Sequence, residues 1–131
     1  MNEVLQYLKD CGVFYLATID ADQPRVRPFG AVEIFEGKLY IITSNKKKVY
    51  AQMQQNPRIE ICAMAQDNSW IRIEALAVRD DRIEARQHML DTYPSLKQLY
   101  SADDGNSEVL WLKDATATIA SFTGEPRVIK F

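Results

Sequence analysis

Short runs of β-branched and aromatic residues, separated by turn residues, recur along most of this 131-residue chain. Such runs predict strands, and the short turns between them predict antiparallel neighbours. The runs are residues 13–19, 25–35, 38–43, 58–65, 69–79, 108–113, 116–122 and 127–131. Helices are predicted at 2–11, 46–55 and about 80–93, each ended by a glycine or a proline. Because closing a sheet removes its exposed edges, the pattern predicts a mainly β fold, a closed or nearly closed barrel in one domain over residues 1–131.

The run 108–113 is apolar on both of its faces. Val109 and Trp111 point one way, and Leu110 and Leu112 point the other way. A barrel core covers only one side of a strand, so a helix or another subunit must cover the second side. On this ground we expect a homodimer.

The overall charge and the two cysteines exclude several classes of protein. The 16 Lys and Arg against 18 Asp and Glu leave a formal net charge of −2, which in general attracts neither nucleic acid nor a membrane surface. Cys11 and Cys62 form no CxxC pair, so both are expected to be reduced. The first residues lack the apolar stretch of a signal peptide, and no run reaches the roughly 18 apolar residues of a membrane span. We therefore expect a cytoplasmic protein.

Three consecutive lysines follow the strand 38–43, at the predicted start of a helix. Lysine is unfavourable there because the first turn of a helix carries partial positive charge and unpaired N–H groups. A bound phosphate reverses this, since it accepts hydrogen bonds from those N–H groups and from Thr43 and Ser44, and pairs with the ammonium groups. The alternative is a solvated run of charge after a turn, with Asn45 as the helix N-cap. The residues alone leave both interpretations open.

Two arginines, Arg25 and Arg27, share one face of the preceding predicted strand, next to Pro28 and Gly30. Proline removes a ladder donor and glycine allows close approach of other atoms, so this stretch of backbone is suited to a ligand. A meander would place the strand beside residues 38–43, and the two basic groups would then converge. The alternative is an edge strand with two solvated arginines.

The run 69–79 alternates regularly, so that Ile71 and Ile73 face the core while Trp70 faces the other side. Trp70 either covers a planar ring or packs in a dimer interface, and we favour the second.

His88 is the single histidine, which excludes a histidine triad and a multi-histidine metal site. The sequence contains no phosphate-binding glycine motif and no zinc-spaced cysteines. If the protein is an enzyme, a cofactor therefore carries the chemistry.

Four segments together resemble the FMN-binding split barrels related to pyridoxamine 5′-phosphate oxidase: ATIDADQPRVRPFG, GKLYIITSNKKKVYAQMQQNP, SWIRIEALAV and SFTGEPRVIKF. The resemblance implies a six-stranded antiparallel split β-barrel, a homodimer, and FMN at each of two sites between the subunits. In such proteins the second strand and the strand–turn–helix corner contact the ribityl phosphate and the flavin ring. Carried over, the contacts are Arg25, Val26, Arg27, Pro28, Phe29, Thr43, Ser44, Asn45 and the lysines, with Lys46 and Lys48 favoured, and with Trp70 and Trp111 of the partner subunit as candidates.

The chain departs from the oxidase itself at its C-terminal end. The oxidase carries an Arg-x-His substrate-binding element there, whereas this chain ends in RVIKF. The resemblance therefore implies an FMN-binding relative and not the oxidase. Two functions stay open: a flavin-dependent oxidoreductase acting on a small molecule, and a non-enzymatic module that binds or senses flavin, another phosphorylated ligand or a tetrapyrrole.

Overall fold

The computed structural model describes residues 1–131 as one antiparallel sheet with three α-helices and a 3-10 helix at Pro94–Gln98. The α-helices are α1 (Asn2–Cys11), α2 (Lys48–Gln55) and α3 (Ile83–Thr92). The strands are β1 (Phe14–Asp20), β2 (Gln23–Phe29), β3 (Val32–Phe35), β4 (Lys38–Ser44), β5 (Arg58–Met64), β6 (Trp70–Asp80), β7 (Ser107–Ala120) and β8 (Arg127–Lys130). Their order is β2-β1-β5-β6-β7-β4-β3, with β8 paired to β7. The mainly β split-barrel class is confirmed, although the sheet has eight strands instead of six and is not closed.

The prediction of a single strand over residues 25–35 is wrong. β2 ends at Phe29 and pairs with β1, whereas β3 begins at Val32 and pairs with β4. Pro24 and Pro28 explain the outer position of β2, because a residue without an N–H is tolerated on an edge strand. The corner at Gly30 and Ala31 then carries the chain from one end of the sheet to the other.

Two predicted strands, 108–113 and 116–122, are one long strand, β7. Its pairing with β6 shifts in register between Glu74 and Leu76, which is a β-bulge, and Asp114 opposite that shift has a φ of 51°. A bulge adds a residue and increases the local twist without ending the strand. The polar residues near Asp114 therefore mark a bend in β7 and not a turn between two strands.

The core has two parts, one on each face of the sheet. The larger part has 20 buried residues under α1 and α2, and the buried Ile71 and Ile73 confirm the predicted core face of β6. On the other face, Met89 and Leu90 of α3 pack in a second cluster with Ile42 and Val109. A helix of the same chain therefore covers the second apolar face of β7, and this strand gives no separate argument for a partner subunit.

A polar network holds the beginning of α3 against the sheet. The Tyr40 hydroxyl donates to the Asp80 carboxylate at 2.8 Å, and Arg82 donates to the same carboxylate at 2.9 Å and to Glu36 at 2.8 Å. Hydrogen bonds from Arg82 lower the pKa of Asp80 to about 2, and burial raises the pKa of Tyr40 to about 12. Asp80 is therefore ionised and Tyr40 neutral at neutral pH.

None of the helices has the length and apolar character needed to cross a membrane.

Candidate cofactor-binding site

A cavity of about 370 Å³ lies between the β2–β3 corner, the end of β4, the beginning of α2 and the 3-10 helix. Arg27, Thr43 and Lys47 give part of its lining a polar and cationic character. Most of the remaining lining is apolar or aromatic, and it includes Phe29 and Ile42. Clefts of this size and mixed lining are typical of small-molecule and cofactor sites.

Two separate parts of the sheet meet at this cavity. β2 lies at one end of the sheet and β4 lies next to the other end, so they are not hydrogen-bonded neighbours. The two-residue corner at Gly30 and Ala31 brings these ends together. The structure thus places Arg27, Pro28, Phe29 and Thr43 around one cavity through the chain crossing at Gly30 and Ala31, and not through the adjacent pairing that the sequence suggested.

The helix after β4 begins two residues later than predicted. α2 starts at Lys48, and Lys47 occupies its N-cap position with an extended backbone (φ −90°, ψ 146°). Asn45 is therefore not the N-cap, and its side chain donates instead to the carbonyl of Gly105 at 2.8 Å. The Ser44 hydroxyl accepts from the N–H of Lys46 at 3.1 Å and also contacts the side chain of Asn106. These bonds turn the chain before the helix, so that Lys47, and not Lys46 or Lys48, lines the cavity.

Arg27 is held by three neutral acceptors. Its Nη1 donates to the carbonyl of Leu16 at 3.1 Å and to the hydroxyl of Thr18 at 2.8 Å, and its Nη2 donates to Oε1 of Gln52 at 2.7 Å. None of the ion pairs in the chain includes Arg27 or Lys47. Burial, and secondarily the charge of Arg25, lower the pKa of Arg27. The cavity therefore carries positive charge that no carboxylate of the chain compensates.

Arg25 and Val26, also predicted contacts, do not line the cavity. Arg25 forms an exposed ion pair with Asp20 at 3.1 Å, and the Val26 side chain is 67% exposed on the outer face of β2. Solvent screens an exposed ion pair of this kind, so the pair contributes little to stability, and neither Arg25 nor Val26 reaches the cavity. Of the two predicted arginines, Arg27 is thus the one placed at the cavity.

The two predicted tryptophans lie outside the lining of the cavity in their own chain. The Trp70 ring packs at 5.1 Å from Phe122, and Lys38 lies 4.2 Å above the ring of Trp111. A role for either residue would require a second subunit, as the resemblance implied.

An apolar wall formed by the segment after α3 was missed by sequence reasoning. Tyr93, Leu96, Leu99 and Tyr100 line the cavity, and the Leu99 side chain is 71% exposed. The Tyr93 hydroxyl accepts from the N–H of Val32 at 3.2 Å and donates to its carbonyl at 2.8 Å, which ties this segment to β3. The available signal was the spacing of apolar and aromatic residues around Pro94, just before a polar loop.

A wider and more open cavity lies on the outer side of α3. Glu84, His88, Asp91 and Asp103 line it, and its acidic character makes it unsuitable for a phosphate. His88 lies 3.1 Å from the carbonyl of Ile34 through Nε2, and its ring packs 4.8 Å from that of Phe35. His88 is thus partly exposed and is held by contacts within the fold.

The family follows from the sequence over nearly the whole fold just described. The sequence model of pyridoxamine 5′-phosphate oxidase matches residues 1–121. The chain belongs to the pyridoxamine 5′-phosphate oxidase family. Among solved structures, a NimC/NimA family protein from Clostridium acetobutylicum is 50% identical with a TM-score of 0.97, and the match covers 100% of this chain and 92% of that chain.

More distant structures share the fold of this protein. General Stress Protein 26 from Bacillus anthracis is 18% identical with a TM-score of 0.79, over 99% of this chain and 97% of that chain. A FAD-binding protein from Mesorhizobium loti is 18% identical with a TM-score of 0.62, over 92% and 94%. Comparison with curated proteins gives no match.

The cavity of this family member has two chemically different sides. Arg27 and Lys47 supply cationic groups, and the N–H groups of Lys48 and Val49 in the first turn of α2 have no backbone partner. Phe29, Leu96 and Tyr100 supply an apolar and aromatic surface. These residues fit a molecule that joins a planar apolar ring to an anionic tail.

Proposed function

We propose that the protein binds FMN in this cavity and acts as a flavin-dependent oxidoreductase on a small molecule, as a relative of pyridoxamine 5′-phosphate oxidase that is not the oxidase itself. The observation that carries the proposal is the pair of cationic side chains, Arg27 and Lys47, that reach one cavity from different elements without a carboxylate partner. A phosphate between them would supply the missing countercharge. The proposed contacts in this chain are Arg27, Pro28, Phe29, Thr43 and Lys47.

Electrostatics favours the phosphate end of FMN at the beginning of α2. The N-terminus of a helix attracts an anion through its free N–H groups and its dipole. Lys47 adds a mobile ammonium, and Arg27, which lines the cavity from β2, adds a positive charge that its hydrogen bonds to Leu16, Thr18 and Gln52 hold in place. Charge-assisted hydrogen bonds of this kind are about twice as strong as neutral ones.

The apolar side of the cavity supports binding of the ring. When bound, FMN supplies the acceptor and donor of hydride or single electrons. The chain's own part is to orient the ring against Phe29 and the wall of Tyr93, Leu96 and Tyr100, and to exclude water from one of its faces. The N–H groups of Phe29 and Gly30 are proposed to lie near the reactive edge of the ring, and Pro28 has no N–H to offer.

The comparisons support a flavin more than a specific reaction. The family match covers residues 1–121, and the fold is shared with a FAD-binding protein. The single histidine, His88, lines the cavity on the outer side of α3 and not this one, so the site has no counterpart of the histidine that the resemblance associates with the oxidase's own substrate. We therefore propose a small acceptor such as a nitro- or quinone-type compound in place of a vitamin B6 substrate.

A flavin carrier or sensor without catalytic turnover is the second candidate. The lining of the cavity favours this candidate. The Tyr93 hydroxyl is hydrogen-bonded to the backbone N–H and carbonyl of Val32, and it could transfer a proton to a substrate only by breaking that contact. The two candidates differ in whether the bound FMN turns over faster than free FMN.

Spectroscopy of the purified protein tests the proposal. We expect flavin absorption bands with one FMN per chain, and reduction by a nicotinamide donor followed by oxidation by a nitro- or quinone-type acceptor, faster than with free FMN. Binding without faster turnover would favour the carrier. A protein that is colourless as purified and has no affinity for added FMN would contradict both candidates.

We further propose a homodimer formed through the outer face of the β2–β1–β5 region. This face holds exposed Tyr15 (51%), Val26 (67%) and Met64 (58%), and pairing places Tyr15 between Pro28 and Cys62. Exposed apolar side chains that share one sheet face are typical of an interaction surface.

Sedimentation of the protein at micromolar concentration tests the dimer. The wild type is expected to sediment as a dimer and Tyr15→Glu as a monomer, because the substitution would bury a charge between the subunits. Gln87→Glu, on the exposed side of α3, is the matched control and should remain dimeric. A monomeric wild type would contradict the proposal.

A further inference from the structure

The guanidinium of Arg27 lies against a buried polar pair formed by Thr18 and Gln52. Thr18 is 2% exposed and Gln52 is 8% exposed. The Thr18 hydroxyl donates to Oε1 of Gln52 at 2.5 Å while it accepts from Nη1 of Arg27 at 2.8 Å. Because a guanidinium only donates, the oxygen of the Gln52 amide must be the atom that faces Arg27.

This pair is unusual in being uncharged. A partly buried arginine is normally paired with a carboxylate, as Arg79 is with Glu108 at 2.9 Å in this chain. Thr18 and Gln52 fix the position of the Arg27 guanidinium but leave its charge intact. The lowered pKa of Arg27 is consistent with this, since burial penalises a cation that has no anionic partner.

Gln52 also connects the two elements that carry the cationic side chains of the cavity, α2 and β2. It lies on α2, whose N-cap is Lys47, and it binds Arg27, which belongs to β2. Thr18, on β1, completes the connection. A hydrogen bond in the core therefore fixes the Arg27 guanidinium relative to α2, whereas the exposed Lys47 ammonium stays mobile.

We propose that Gln52, supported by Thr18, is a positioning residue that holds Arg27 as an uncompensated cation and so gives the cavity its preference for a ligand that carries a phosphate. The inference deepens the proposed function and rests on it only in the choice of FMN as a probe. The neutrality of Gln52 is the property that matters. A glutamate at the same place would keep the geometry and cancel the charge.

The test compares Gln52→Glu with the wild type, and with Gln54→Glu as a control that adds the same charge on an exposed position of α2. The probes are FMN, riboflavin, which has the same ring without the phosphate, and inorganic phosphate. Flavin affinities come from fluorescence titration, and phosphate affinity comes from the shift of the arginine Nε–H signals in NMR spectra.

Gln52→Glu is expected to lower FMN affinity about tenfold or more and to change riboflavin affinity by less than about twofold, because only the phosphate senses the lost charge. Gln54→Glu should leave the ratio of the two affinities near that of the wild type. Gln52→Met, which removes the acceptor without adding charge, should lower the ratio to an intermediate value, and it replaces Gln52→Glu if that variant does not fold.

Equal losses of FMN and riboflavin affinity in Gln52→Glu would overturn the inference, since they would indicate a merely structural role. The same holds if Gln54→Glu has an equal effect. If the wild type binds no flavin but binds phosphate more tightly than Gln52→Glu does, the proposed function fails and the inference stands. If the wild type binds neither flavin nor phosphate, both fail.

Discussion

Replacing Lys47 by alanine is expected to lower FMN affinity about tenfold, which corresponds to the loss of one charge-assisted contact. Lys47 is the lysine of the run that lines the cavity, and its backbone forms the N-cap of α2. Alanine keeps that backbone conformation and removes only the ammonium group. Fluorescence titration with FMN and with riboflavin measures the effect, and the loss should be confined to FMN.

The double variant Lys46→Ala/Lys48→Ala is the matched control for this prediction. Both lysines are exposed and neither lines the cavity, so their contribution is a screened, longer-range one. We expect the double variant to lose clearly less FMN affinity than Lys47→Ala, although it removes two charges. The reverse order would show that the phosphate lies outside the cavity, over the exposed lysines that the sequence favoured.

Met89→Ala is expected to lower the free energy of unfolding by about 2–5 kcal/mol. Met89 is fully buried in α3, in the cluster that covers the second apolar face of β4 and β7. Removal of its side chain leaves a cavity between the helix and the sheet. Urea denaturation measures the loss, and it should also show one transition, because we propose that residues 1–131 form a single domain.

Gln87→Ala, on the exposed side of the same helix, is the control and should change stability by no more than about 0.5 kcal/mol. A small effect of Met89→Ala would contradict the assignment of α3 as the cover of this face. Two separate transitions in the wild type would contradict the single domain.

The strands and helices follow from short-range patterns that can be read directly along the chain. α1 occupies the predicted residues and ends at Gly12, whose φ of 79° suits glycine. β5 and β6 lie within two residues of their predicted bounds, since alternation of buried and exposed positions decides where a strand can run. The family resemblance likewise depends on local segments, and the match to residues 1–121 confirms it.

The predicted element boundaries that were wrong depend on partners that are distant in the sequence. Asn45 has the local character of an N-cap, but its side chain is taken by Gly105, 60 residues away, and α2 starts later as a result. The run 25–35 contains Pro28 and Gly30, but residues of β character flank both, and only the opposite positions of β2 and β3 in the sheet require the corner at Gly30.

The sequence alone was sufficient for the β fold and for the basic groups near two strands, because these depend on periodicity and composition, and the resemblance of four segments was sufficient for the family. Tertiary structure decided which basic groups share a cavity. It placed Lys47, and not Lys46 or Lys48, at the cavity. It left Arg27 without a carboxylate partner while Arg25 pairs with Asp20, and it brought the segment Tyr93–Tyr100 to the same cavity. The physical reason is that these choices depend on how the two ends of the open sheet lie relative to each other in space, and no local pattern along the chain encodes that arrangement.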